Sequence, residues 1–174
     1  MTLAFPPPLE PMLARNTPAI PDGGGWLYEP KWDGFRTLVY FDGAEVYLQS
    51  RDLKPMARYF PELVAGLGAV LPGPMVLDGE VVVMGAAGLE FEVLQQRIHP
   101  AASRVNKLSI ETPAHFVAFD LLALGRTCLR VRSAAATSAA AISQPRRRPV
   151  RSLRSRGLPL RAPSLPPDHP FAVV

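Results

Sequence analysis

"FRTLVYFDGAEVYLQSR", residues 35–51, decides how the fold is read. Two β-rich runs, FRTLVYF (35–41) and AEVYLQSR (44–51), flank Asp42-Gly43, a pair whose backbone preferences suit a tight hairpin. Further along, MVLDGEVVVM (75–84) is either a strand pair or one long strand with a break at Asp78-Gly79, and AHFVAFDLLAL (114–124) is apolar and long enough for a buried strand. PELVAGLGAVL (61–71) opens with proline at a first helical position and spaces its apolar residues as a helix does. EFEVLQQRI (90–98) suits a short helix, and WLYE (26–29) a short strand. Strands that pair locally, with short helices between them, predict an α+β fold with antiparallel sheets and not a doubly wound one.

The chain has 174 residues, enough for one domain or one domain with a tail. No apolar stretch is long enough to span a bilayer, and the N-terminal apolar run is broken by three prolines and lacks the basic start of a secretion signal. Cys128 is the only cysteine, so no internal disulfide forms and a cytoplasmic location is expected. His99, His115 and His169 show no metal-ligand spacing.

The net charge of +4 hides a split. Residues 1–125 hold 9 Lys/Arg against 14 Asp/Glu, whereas residues 126–174 hold 10 Arg against Asp168 alone. Of the 49 residues from Arg126 on, 31 are Arg, Ala, Pro or Ser, without periodicity. A domain over 1–125 followed by a disordered tail over 126–174 is therefore expected. The tail reads either as a basic arm for nucleic acid or as sequence never selected to fold, the product of a reading-frame shift or a mis-called gene end.

Within YEPKWDGFR (28–36) stands Lys31, one of only three lysines in the chain. Alone it reads as a solvated strand-end lysine, just as Asp78-Gly79-Glu80 reads as a plain turn and Phe119 as core. The Gly23-Gly24-Gly25 run lacks the Gly-Lys-Ser/Thr ending of a phosphate loop and reads as a flexible connection. What changes the reading of Lys31 is order along the chain: Glu29-x-Lys31-x-Asp33-Gly34-x-Arg36, then Ser50-Arg51, then Asp78-Gly79-Glu80, then Phe119-Asp120. Over about residues 5 to 125 this set resembles the ATP-dependent DNA ligases, most closely the bacterial end-joining type, within the covalent nucleotidyltransferases.

The resemblance implies that residues 1–125 are part of an adenylation domain and that the chain seals nicks in DNA repair and recombination through a lysine–AMP intermediate. Its partners would be ATP, Mg²⁺ and nicked or broken double-stranded DNA, with no membrane, and its place the bacterial nucleoid. Lys31 would be the nucleophile. A lysine attacks only when neutral, which desolvation or neighbouring cations promote. Glu29 would orient adenine, Arg36 and Arg51 would hold ribose and phosphate oxygens, Glu80 a ribose hydroxyl, and Phe119 would stack on the base. Asp78 would help bind metal, and Asp33 either caps the turn after Lys31 or meets the metal.

The family also carries a later Glu-Gly-apolar motif that binds metal and a Lys-x-Lys motif that holds the α-phosphate. Here the last Glu is Glu111 and the last Lys is Lys107. A truncated and impaired ligase is therefore expected. Two other readings stay open: a non-enzymatic nucleic-acid binder acting through the basic tail, and an RNA ligase or guanylyltransferase.

Overall fold

The computed structural model describes residues 3–13, 19, 30–86 and 88–130, together with the backbone of residues 171–173. The strand expected at 26–29, Glu29, and most of the tail expected to be disordered lie outside the described residues.

Strands β1 (Phe35–Phe41) and β2 (Val46–Ser50) form the hairpin read from the sequence, antiparallel from Phe41 opposite Val46 to Thr37 opposite Ser50. Residues 42–45 close it. Asp42 Oδ1 accepts the N–H of both Ala44 and Glu45 at 2.8 Å, and Gly43 takes a positive φ of 103° that a side chain would resist. Those two donated hydrogen bonds, Glu45 first, hold the Asp42 carboxyl below its ordinary value.

Helix α1 (Pro61–Val70) follows a short 3₁₀ turn (Ala57–Tyr59), with proline in its first turn and Leu63 and Leu67 buried one above the other. Strand β3 (Met75–Gly85) is a single strand, paired with β1 from Met75 to Val81. A two-residue strand β4 (Gly88–Leu89) folds back on its end, and helix α2 (Phe91–Gln95) comes next. Helix α3 (Ala102–Glu111), which no sequence pattern announced, buries only Val105, and Ile110 stays exposed. A single buried position is too little to make an apolar stripe.

Strand β5 (Ala114–Leu124) lies beside β3, and β6 (Thr127–Cys128) turns back on it through Gly125, whose φ of 54° is again positive. The sheet runs β2-β1-β3-β5-β6, and a three-residue strand β7 (Phe171–Val173) pairs in parallel with Phe116, Val117 and Ala118 of β5. Apart from β7 every pairing is antiparallel, as an α+β reading requires.

Each sheet face carries its own core. On one side Val39, Leu48, Val81, Val83 and Phe116 pack against Phe60, Leu63, Leu67 and Leu94. On the other, Leu38, Tyr40, Val76 and Leu122 are covered by Leu3, Phe5 and Leu9 from the N-terminal segment. Gln49 fastens that segment as a strand neighbour would. Its Nε2 donates to the Leu9 carbonyl at 2.6 Å, and its Oε1 accepts the Leu9 N–H at 3.0 Å. The Tyr40 hydroxyl also donates to Oε1, at 3.3 Å, and burial pushes that phenol up to about 12, so it keeps its proton. No described helix is long and apolar enough to cross a membrane.

Candidate functional site

Gly34 joins residues 30–33 to β1, and its position is set by contact. A Cβ there would run into the Val81 carbonyl and stand 2.8 Å from Glu80 Cγ and 2.9 Å from Val82 Cγ1. Only glycine lets the segment lie this close to β3. The Gly34 N–H lies near enough to the Glu80 carboxylate to favour its ionised form, so the stretch that carries Lys31 packs beside Glu80. Lys31 itself is open to solvent, its side chain 79% exposed, with Nζ 3.9 Å from Asp33 Oδ1.

Alternation along β1 puts Arg36, Leu38 and Tyr40 on one face, and the register places Glu80 opposite Arg36 and Asp78 opposite Leu38. The Arg36 guanidinium meets the Asp78 carboxylate at two points, Nε to Oδ1 and Nη2 to Oδ2, both 2.6 Å. In the β3–β5 ladder Asp78 faces Asp120 and Gly79 faces Ala118, which leaves Phe119 as an extra residue. Such a bulge re-aims side chains. It brings the Phe119 ring over the Arg36 guanidinium, with the central carbon 4.6 Å from the ring centroid. The break suspected at Asp78-Gly79 is thus a slip in pairing within a continuous strand. Gly79 is needed for packing, because a Cβ there would strike the Phe116 ring and the Val117 carbonyl.

Arg36, Asp78, Glu80 and Phe119 therefore share one site, with Lys31 beside it. Arg51 stands one residue past the end of β2, exposed, and its ion pair is with its neighbour Asp52 at 3.5 Å. Asp120 joins the cluster although the motif reading gave it no role. Burial, then the Asp78 charge, push its carboxyl up, and Arg36 offsets part of this. Among the described residues no group of three or more His, Cys, Asp or Glu is placed to hold a metal ion.

Glu80 is the most perturbed acid of the site. Burial pushes it up to about 7, against the opposing pull of Arg36 and Lys31. A carboxyl raised on folding has its ionised form disfavoured in the folded state. Between pH 4.5 and 7 the unfolded chain ionises first, and stability falls through that window. Glu80→Gln keeps an acceptor for Gly34 and removes this loss. We expect it to raise stability at pH 8 by about 1–2 kcal/mol, after discounting for partial exposure, with no gain at pH 4. Denaturant titrations at the two pH values check this, and an equal effect at both would refute it.

Residues 11–142 match the family model for the ATP dependent DNA ligase domain. DNA ligase C of Mycobacterium tuberculosis is 57% identical over 125 residues, covering 72% of this chain and 34% of that protein. The multifunctional non-homologous end joining protein LigD of Mycobacterium bovis is 36% identical over 126 residues, covering 71% and 15%. A solved structure of mycobacterial DNA ligase D complexed with ATP and MES aligns with a TM-score of 0.47 and 30% identity, covering 68% of this chain and 38% of that one. The chain spans about a third of the length of its ligase C relative.

Proposed function

The chain belongs to the ATP-dependent DNA ligase family, and from that premise we propose that its described part is the nucleotide-attacking portion of an adenylation domain. Lys31 Nζ attacks the α-phosphorus of ATP, the bond to the β-phosphate oxygen breaks, and pyrophosphate leaves while the amine gives up a proton. The resulting P–N bond carries AMP. A 5′-phosphate oxygen at a DNA nick then displaces Lys31 from that phosphorus, and the adjoining 3′-hydroxyl displaces AMP to close the strand.

One observation carries this reading: the Gly34 contact and the β5 bulge bring the Lys31 segment, Glu80, Arg36 and Phe119 to one place from three strands. Phe119 would cover one face of adenine, Glu80 would hold a ribose hydroxyl, and Arg36 and Arg51 would serve ribose and phosphate oxygens. Glu29 would meet the adenine amine.

Mg²⁺ is commonly held through one or two carboxylates together with substrate phosphates. Asp120, held above its ordinary value by burial, fits that pattern, because a nearby cation favours its ionised form. The ion would neutralise charge on the phosphates in transfer.

Adenosine 5′-phosphorimidazolide tests the proposal, since its α-phosphorus is already activated and needs no pyrophosphate clamp. We expect one adenylate on the Lys31 peptide by mass spectrometry, with the guanosine analogue about tenfold slower or worse. Equal modification of Lys54 and Lys107, or no preference for adenine, would overturn it.

A further inference from the structure

Asp78 has little room for a metal ion. Its side chain is 7% exposed, and each of its two oxygens accepts a short hydrogen bond from the same guanidinium. A two-point carboxylate–guanidinium contact fixes the plane of the arginine as well as its position. The guanidinium carbon stands over Phe119, 4.6 Å from the centre of a ring whose negative face attracts a cation. The three residues come from β1, β3 and β5, and β3 is the strand between the other two. Phe119 is also the extra residue of a bulge, so the ladder does not dictate its direction by simple alternation. Something outside the ladder must hold the ring.

We propose that Asp78 is a positioning residue that clamps Arg36 as a flat pedestal under Phe119 and so sets the tilt of the ring offered to adenine. The adenine half of this statement rests on the stacking role proposed above; the clamp itself does not. It gives Asp78 work other than the metal binding its place in the motif suggests. A metal ligand would leave the binding of a nucleoside untouched, whereas a pedestal would not.

The test uses the whole chain and two measurements without metal. The first is the NMR signal of the Arg36 Nε–H, which the Phe119 ring current displaces if the two groups stack. We expect Phe119→Leu and Asp78→Asn each to shift that signal strongly. The second is affinity for adenosine, which has no phosphate and needs no Mg²⁺. We expect Phe119→Leu and Asp78→Asn each to weaken it by about tenfold, and the double variant to be little worse than either. If Asp78→Asn does not fold, Asp78→Ser also breaks the fork and leaves Arg36 in place to be read, and it should move both readouts alike. An Arg36 signal indifferent to Phe119→Leu or to the fork-breaking variant overturns the clamp. Wild-type protein that does not bind adenosine overturns the stacking reading, and the Arg36 signal then judges the clamp alone.

Discussion

A polypeptide carrying Lys31→Ala should take up no adenylate from α-labelled ATP, and Lys31→Arg should be equally inert. Arginine stays protonated and has no lone pair to give, so retaining the charge at this position retains none of the reaction. Neither other lysine is expected to substitute for Lys31. Lys107 lies on the outer face of α3 beside Glu111 at 3.8 Å, and Lys54 sits in the exposed turn after β2. Of the three lysines, Lys31 is the one whose charge acts on Glu80, on a segment that Gly34 packs against β3. The wild-type polypeptide should label slowly as well. Triphosphate attack relies on fixed cations around the α-phosphate, and this sequence has no lysine after Lys107 and no glutamate after Glu111. Taking about 10² to 10³ per missing electrostatic contact, a polypeptide of these 174 residues should label at least ~10⁴-fold more slowly than a family member with both later motifs. Quenched-flow labelling of the two side by side measures this. Label retained by Lys31→Ala would move the nucleophile elsewhere, and wild-type labelling at the full family rate would show that those motifs are dispensable.

How far such a site is legible in sequence depends on the distance over which each determinant acts. The β1–β2 hairpin was legible because Asp42 and Gly43 act within four residues, through Asx hydrogen bonds and a positive φ. Helix α1 was legible because Leu63 and Leu67 keep helical spacing around an early proline. Helix α3 was not, because one buried residue makes no pattern. The N-terminal segment was silent for another reason: its hydrogen bonds come from Gln49, 40 residues from Leu9, and from Gly125, which accepts the Ala4 N–H. The site divides in the same way. Motif order pointed to Lys31, Arg36, Glu80 and Phe119; in the fold Arg36, Glu80 and Phe119 lie on neighbouring strands, with Lys31 beside them. The engagement of Asp78 by Arg36 spans 42 residues, and the bulge that aims Phe119 exists only in the pairing of two strands. Spacing along one chain carries neither. Asp120 was quoted within its motif yet had no role, since its raised carboxyl arises from burial beside Asp78.

The largest loss of stability is expected far from Lys31, at Arg97. Its side chain is wholly buried in the turn after α2. Nη1 donates to Glu62 Oε1 at 2.6 Å and to the Thr112 carbonyl at 3.2 Å, while Nη2 donates to Glu62 Oε2 at 2.9 Å and to the Tyr59 carbonyl at 2.8 Å. The guanidinium also lies 5.1 Å from the centre of the Phe60 ring, and Glu62 Oε1 accepts the Ala114 N–H that opens β5. One cation thus joins the 3₁₀ turn, α1, the turn after α2 and the end of α3, with the start of β5 attached through Glu62. Arg97→Met strands a carboxylate and two carbonyls in an apolar setting, which should cost about 3–5 kcal/mol. Set against a total domain stability of about 5–15 kcal/mol, that removes a third or more of the total for most of the range and brings a domain at its low end close to unfolding. Burial of an ion pair is itself expensive, so removing both partners should be milder than removing one. Arg97→Met combined with Glu62→Leu should therefore recover about 1–2 kcal/mol of the loss. Urea titrations of the two single variants and the double one decide the matter. A cost below about 1 kcal/mol for Arg97→Met, or a double variant no better than the single ones, would mean that the pair does not organise the helical side of the sheet.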